Sequence, residues 1–254
     1  MRHAKGSLVI NPERDIPLLR QVRNSRFVSH RQLFDFMKLS GVDHCESSFN
    51  WRTRRLLGSG HFSICEGSFG TGSTVYRITR AGLLLLEHYG EFSTVLHSGT
   101  QHLPHPAQVF HALELNGVHL ALASRNLLAS WQSEVEVASF NTISRAPYQK
   151  DYDAIVDVWI GATKERFALE YERTLKSSRQ YERVRAALES ERQIRCVLYL
   201  TAGIEILVHL VHEFEAVNMT VAFANASDFT QLLLDTTVIT RRNLSGVRFR
   251  ELFQ

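Results

Sequence analysis

The sequence is short of the residues that staple small folds. It has three cysteines, Cys45, Cys65 and Cys196, and five prolines in 254 residues. An odd, scattered set of cysteines excludes a disulfide framework and fits a reducing compartment. No Cys-x-x-Cys pair is present to suggest a structural zinc site, and His209-x-x-His212 has no further ligand nearby in sequence. Long apolar runs are also missing: the stretches 81–87 and 204–211 fall far short of the ~18 residues a membrane span needs. Residues 1–11 are basic but lack an apolar centre of signal-peptide length. The expectation is a cytoplasmic chain with no membrane partner. Apolar residues make up 44% and charged residues 22%, a composition that excludes disorder and collagen-like repeats.

The net charge of +3 conceals an asymmetry. Residues 1–90 hold 13 Lys and Arg against 7 Asp and Glu, a balance of +6, and the remainder balances at −3. A basic first third joined to a mildly acidic remainder suggests two domains with different tasks. The basic one is the candidate for nucleic acid, because phosphate neutralisation supplies most sequence-independent affinity.

In that first third the spacing predicts a short helix capped by Asp15, with Leu18, Leu19 and Val22 on one stripe. Ser29-His30-Arg31-Gln32 is a capping box that opens a second helix. Ser47 or Ser48 caps a third helix over 49–57, stopped by Gly58. A hairpin follows, 61–65 and 74–78 around a glycine-rich tip at 66–73, then a helix over 80–88 capped by Thr79. Three helices, a hairpin and a closing helix describe a winged helix-turn-helix. The run Val75-Tyr76-Arg77-Ile78-Thr79-Arg80-Ala81-Gly82 resembles the second wing strand of bacterial winged-helix regulators. The third helix carries Asn50, Arg52, Arg54 and Arg55, an amide and three guanidinium forks suited to base edges and phosphates of double-stranded DNA. Trp51 reads as a core or shoulder residue.

The domain boundaries expected are 1–90, a linker at 91–105 and a second domain at 106–254. There the pattern predicts a long helix over 107–129, strands at 131–137, 154–160 and 167–171, and a charged helix over 176–191. A buried strand at 196–200, a helix over 205–215, a strand at 219–224 and a short helix over 227–234 follow. This is a mixed α/β core. Asp153 opens one strand, and Glu170-Tyr171-Glu172 ends the next. A hard cation such as Mg²⁺ wants oxygen ligands converging from neighbouring strands, and it polarises a phosphodiester and generates hydroxide. The order of elements around them resembles that of PD-(D/E)xK nucleases, and the resemblance implies Asp153 and Glu170 as candidate metal ligands and Asp153, Glu170 and Glu172 as the candidate catalytic set. Glu114, on the long helix, is a weaker third carboxylate.

This order of elements resembles the PD-(D/E)xK nucleases. A closer likeness covers about residues 14–235. Tyr152-Asp153-Ala154 and Phe167-Ala168-Leu169-Glu170-Tyr171-Glu172-Arg173-Thr174, with His105, Trp131 and Glu134, look like the replication-relaxation family of plasmids and integrative elements. That resemblance implies an α/β protein in which a winged helix-turn-helix precedes a PD-(D/E)xK nuclease-like domain. Glu172 stands where active nucleases usually carry lysine; Arg173 and Lys176 follow closely. Two readings stay open. One is a DNA-binding protein of a plasmid or mobile element with a non-catalytic nuclease-like core, acting in replication, transfer or transcription control. The other is an active Mg²⁺-dependent endonuclease of a defence or restriction system. Homodimerisation is compatible with both.

Overall fold

The computed structural model describes residues 9–67, 69, 72–94 and 104–254. The chain divides into two compact units, 1–116 and 117–254. The division falls inside a helix rather than in the expected linker, most of which (95–103) lies outside the described residues.

The first unit holds α1 (Pro12–Ser25), β1 (Val28–Ser29), α2 (His30–Leu39), α3 (Glu46–Gly58), β2 (Phe62–Ile64), β3 (Val75–Ile78), α4 (Arg80–His88) and the start of α5 (Pro106–Ser124). Local chemistry accounts for these boundaries. At α2, Gln32 N donates to Ser29 Oγ while Gln32 Oε1 accepts from Ser29 N, so two otherwise orphaned amides are satisfied. At α4, Gly82 N donates to the Thr79 hydroxyl. Asp15, expected as a cap, lies inside α1; it accepts from Asn11 N, and the helix begins at Pro12. α3 begins earlier than the serines suggested, after Cys45. Strands β1, β3 and β2 form an antiparallel sheet in that order. Leu18, Leu19, Val22, Leu33, Phe49, Leu56 and Leu86 form a fully buried core. At the hairpin tip Gly67 and Gly72 adopt positive φ, which suits a residue without Cβ, and Gly70 lies outside the described residues.

The second unit is mixed α/β around a seven-stranded sheet in the order β10-β9-β8-β7-β6-β5-β4. Its strands are β4 (Leu128–Ser133), β5 (Ala154–Ile160), β6 (Thr163–Glu172), β7 (Cys196–Thr201), β8 (Thr220–Asn225), β9 (Thr237–Thr240) and β10 (Asn243–Arg248). The helices are α6 (Glu134–Ile143), α7 (Ser178–Ser190), α8 (Ile204–Glu213) and α9 (Ala226–Leu232). The central strands β6, β7 and β8 run parallel, and the flanking pairs are antiparallel. One sheet face, with Ile155, Ala168, Val197, Tyr199 and Phe223, packs on Val137 of α6, Tyr181 and Leu188 of α7, and Leu207 and Leu210 of α8. On the other face Phe167 meets Phe249, which also touches Phe229 of α9.

The strand expected at 131–137 ends at Ser133. There a capping box turns the chain into α6, with Glu136 Oε2 accepting from Ser133 N and Oγ. No described helix is long and apolar enough to cross a membrane. All three cysteines are free thiols; Cys65 and Cys196 are buried and Cys45 is exposed.

Candidate functional site

Two groups of side chains were expected to do chemistry, one in each unit. On α3 the helical period decides which arginine faces outward. Phe49, Arg52, Thr53 and Leu56 point into the unit. Arg52 is therefore not the base-reading residue expected of it. Its Nε and Nη2 donate to Asp43 Oδ2 and Oδ1, each at 3.1 Å, and its Nη1 donates to Asp15 Oδ1 at 3.1 Å. Both carboxylates are fully buried and Arg52 is 3% exposed. Burial disfavours the guanidinium charge, but the two carboxylates outweigh it and its pKa is raised. Arg55 is likewise committed: Nη2 donates to Asp15 Oδ1 at 2.6 Å, and another branch bonds the Val9 carbonyl. Arg14 completes the network at Asp43. Arg14 and Asp15 come from α1 and Asp43 from the segment before α3; nothing in the sequence pairs them with Arg52, and only the folded contacts do.

The outward face of α3 carries Ser47, Trp51 and Arg54. Trp51, read as a core or shoulder residue, is not in the core: it is 63% exposed, and the Arg55 guanidinium lies 5.0 Å from its ring centroid. Arg54 is exposed. Asn50 is half-buried, its Oδ1 2.8 Å from His30 Nε2, while His30 Nδ1 lies 2.9 Å from the Tyr76 hydroxyl. That chain ties α3 to α2 and β3.

The second group sits where β5 begins and β6 ends. The register pairs Ala154 with Leu169, which sets Asp153 beside Glu170 on the neighbouring strand. Tyr171 N donates to Asp153 Oδ2 at 2.8 Å. Glu170 and Glu172 are two apart on β6 and so share a face. Glu170 lies opposite Tyr199 and Glu172 opposite Thr201 on β7. Both glutamates are 5% exposed. Lysines from two loops reach them: Lys150 Nζ is 2.6 Å from Glu170 Oε1, and Lys176 Nζ donates to Glu172 Oε2 at 2.6 Å. Burial raises the Glu170 pKa; Lys150 opposes the shift and Asp153 adds to it. Lys176 is raised despite its burial, because Glu170 and Glu172 outweigh the desolvation. The Tyr199 hydroxyl is buried with no hydrogen-bond partner among the described residues, and its pKa is raised by burial and then by Glu170.

The three expected carboxylates therefore do share one electrostatic neighbourhood. Lys150 and Tyr199 were missed. Lys150 lies three residues before Asp153, and Tyr199 becomes visible only through the β6–β7 register. Lys176, which follows the motif, reaches back into it. Among the described residues no three His, Cys, Asp or Glu side chains gather in an arrangement that holds a metal ion. The donor set accounts for this: Asp153 Oδ2 is taken by a backbone amide, and each glutamate is paired to an ammonium.

Other residues of note lie outside this cluster. Asp157 is held below the usual carboxylate range, chiefly by Arg166 at 2.7 Å despite its burial, and Ser130 also donates to it. Glu114 is exposed on α5 in the first unit. His105 caps α5 through Nδ1, which accepts from Ala107 N. Trp131 stacks on His119 at 4.3 Å, and Glu134 opens α6. No family model, curated protein or solved structure matches this chain.

Proposed function

We propose that this chain is a DNA-binding protein of a plasmid or mobile element. In this reading residues 1–90 act as a winged helix-turn-helix on duplex DNA, and the second unit is a nuclease-like core that does not cut. Replication, transfer or transcription control is the setting that the likeness to the replication-relaxation family suggests. The carrying observation is the division of labour on α3. Arg52 and Arg55 bolt the helix to Asp15 and Asp43, while Trp51 and Arg54 stand outward on a basic unit. Arg54 then serves as a phosphate or guanine contact, and Trp51 offers an apolar edge to the groove.

The test is duplex binding across a salt series. Arg54→Ala lowers the log–log salt slope by about one, the value for one lost phosphate contact. Trp51→Ala weakens binding with the slope unchanged. Affinity and slope both unchanged in the Arg54→Ala, Trp51→Ala double variant would remove α3 from the interface.

A second reading, a Mg²⁺-dependent endonuclease, is favoured by one observation: Asp153 lies beside Glu170 across the β5–β6 register, and Lys176 Nζ is 2.6 Å from Glu172, two residues on along β6. Plasmid nicking by the wild type, lost in Glu170→Gln, supports this second reading over the first.

A further inference from the structure

Three carboxylates on adjoining strands, two of them buried, cannot all stay ionised without positive charge close by. In this protein that charge comes from the chain itself. Lys150 arrives from the loop before β5 and Lys176 from the loop before α7, and each places an ammonium 2.6 Å from a glutamate oxygen. Their side chains are 16% and 35% exposed, so both are held against the site rather than extended into solvent. A Mg²⁺ ion requires oxygens at ~2.0–2.1 Å in octahedral array and keeps several waters. An ammonium at hydrogen-bonding distance fills the space that such an ion and its waters need. Building on the nuclease-like reading above, we propose that Lys150 and Lys176 are tethered cations that stand in for a divalent metal and close the Asp153–Glu170–Glu172 cluster to it.

The experiment is metal titration of the full chain by calorimetry, with Mg²⁺ and Mn²⁺ as probes. The wild type shows no saturable binding at millimolar metal. The Lys150→Met, Lys176→Met double variant gains one saturable Mn²⁺ site and a melting temperature that rises with Mn²⁺, and adding Glu170→Gln removes both gains. Saturable binding by the wild type that Glu170→Gln abolishes overturns the proposal, as does a folded double variant that ignores Mn²⁺. Should the double variant fail to fold, the side-chain ammonium resonances of Lys150 and Lys176 in the wild type decide. Paramagnetic Mn²⁺ leaves them sharp if the cluster is closed and broadens them at low stoichiometry if it is open. None of these readouts depends on DNA, so loss of the α3 interface and loss of this inference remain distinguishable.

Discussion

Breaking the Arg52 pairs strands two carboxylates that water does not reach. Removing one partner of a buried ion pair costs roughly 3–5 kcal/mol. Arg14 and Arg55 still touch Asp43 and Asp15, which places Arg52→Met at the lower end, about 3 kcal/mol by urea denaturation. Arg54→Ala, at an exposed position, leaves stability within about 0.5 kcal/mol. Equal losses in the two variants would contradict the buried network. A second residue-scale effect concerns pH. Burial lowers the His119 pKa to about 3 from 6.5. The unfolded chain therefore binds a proton between those values that the folded chain excludes, and stability falls as pH drops from about 6.5 towards 3. His119→Phe keeps a ring against Trp131 and removes that part of the acid limb. The check is melting temperature against pH from 7 to 4 in both proteins, where parallel curves would refute the assignment.

At the scale of elements, what could be read from the sequence was chemistry local to a few residues. Ser29-x-x-Gln32 and Thr79 fixed the starts of α2 and α4, because a cap is a contact between residues three apart. The alternation over 131–137 misled for the same reason. Trp131–Ser133 do end β4, but Ser133 and Glu136 form a capping box, and reciprocal bonds to the backbone outweigh a period-2 pattern only a few residues long. At the site, Asp153, Glu170 and Glu172 were legible from spacing. Lys150 and Tyr199 were not, since their place depends on a loop path and on parallel strand register. On α3 the arginines were legible as arginines, but the buried Asp15 and Asp43 that claim two of them come from elsewhere in the chain. One element carries a tight steric constraint. A Cβ at Gly82 would lie 2.1 Å from the His61 carbonyl and 2.6 Å from Ile78 Cδ1, where α4 crosses the hairpin. A backbone carbonyl cannot swing aside as a side chain does, so Gly82→Ala pushes α4 off the sheet. The expected loss is about 1–3 kcal/mol, the usual range for overpacking, measured by chemical denaturation; a neutral or stabilising result would show that the hairpin yields.

For the whole molecule the question is where the first unit ends. Charge and composition placed the boundary near residue 90, yet the packing of that unit continues into α5. Val109, Ala112 and Leu113 join Phe27, Cys65, Phe69 and Val75 in one apolar cluster. Gln32 Nε2 donates to the Leu113 carbonyl at 2.6 Å, and Asn116 Nδ2 donates to the Phe27 carbonyl at 2.8 Å. Cutting at 90 exposes Phe27 and Val75 and removes a partner from the capping glutamine of α2. Each buried aliphatic or aromatic side chain so exposed forfeits about 1.5–3 kcal/mol, a large share of the stability of a small domain. A fragment of residues 1–124, which keeps α5 whole, therefore melts as one cooperative unit. A fragment of residues 1–90 melts at a lower temperature, with a broader transition. Circular dichroism melts of the two fragments side by side test this. Identical transitions would place the boundary at 90 and make α5 dispensable to the first unit. Under the DNA-binding proposal the same pair also separates folding from recognition: compared below the melting point of the shorter, the two fragments should show equal salt slopes on duplex DNA, because Trp51 and Arg54 lie on α3, which both retain.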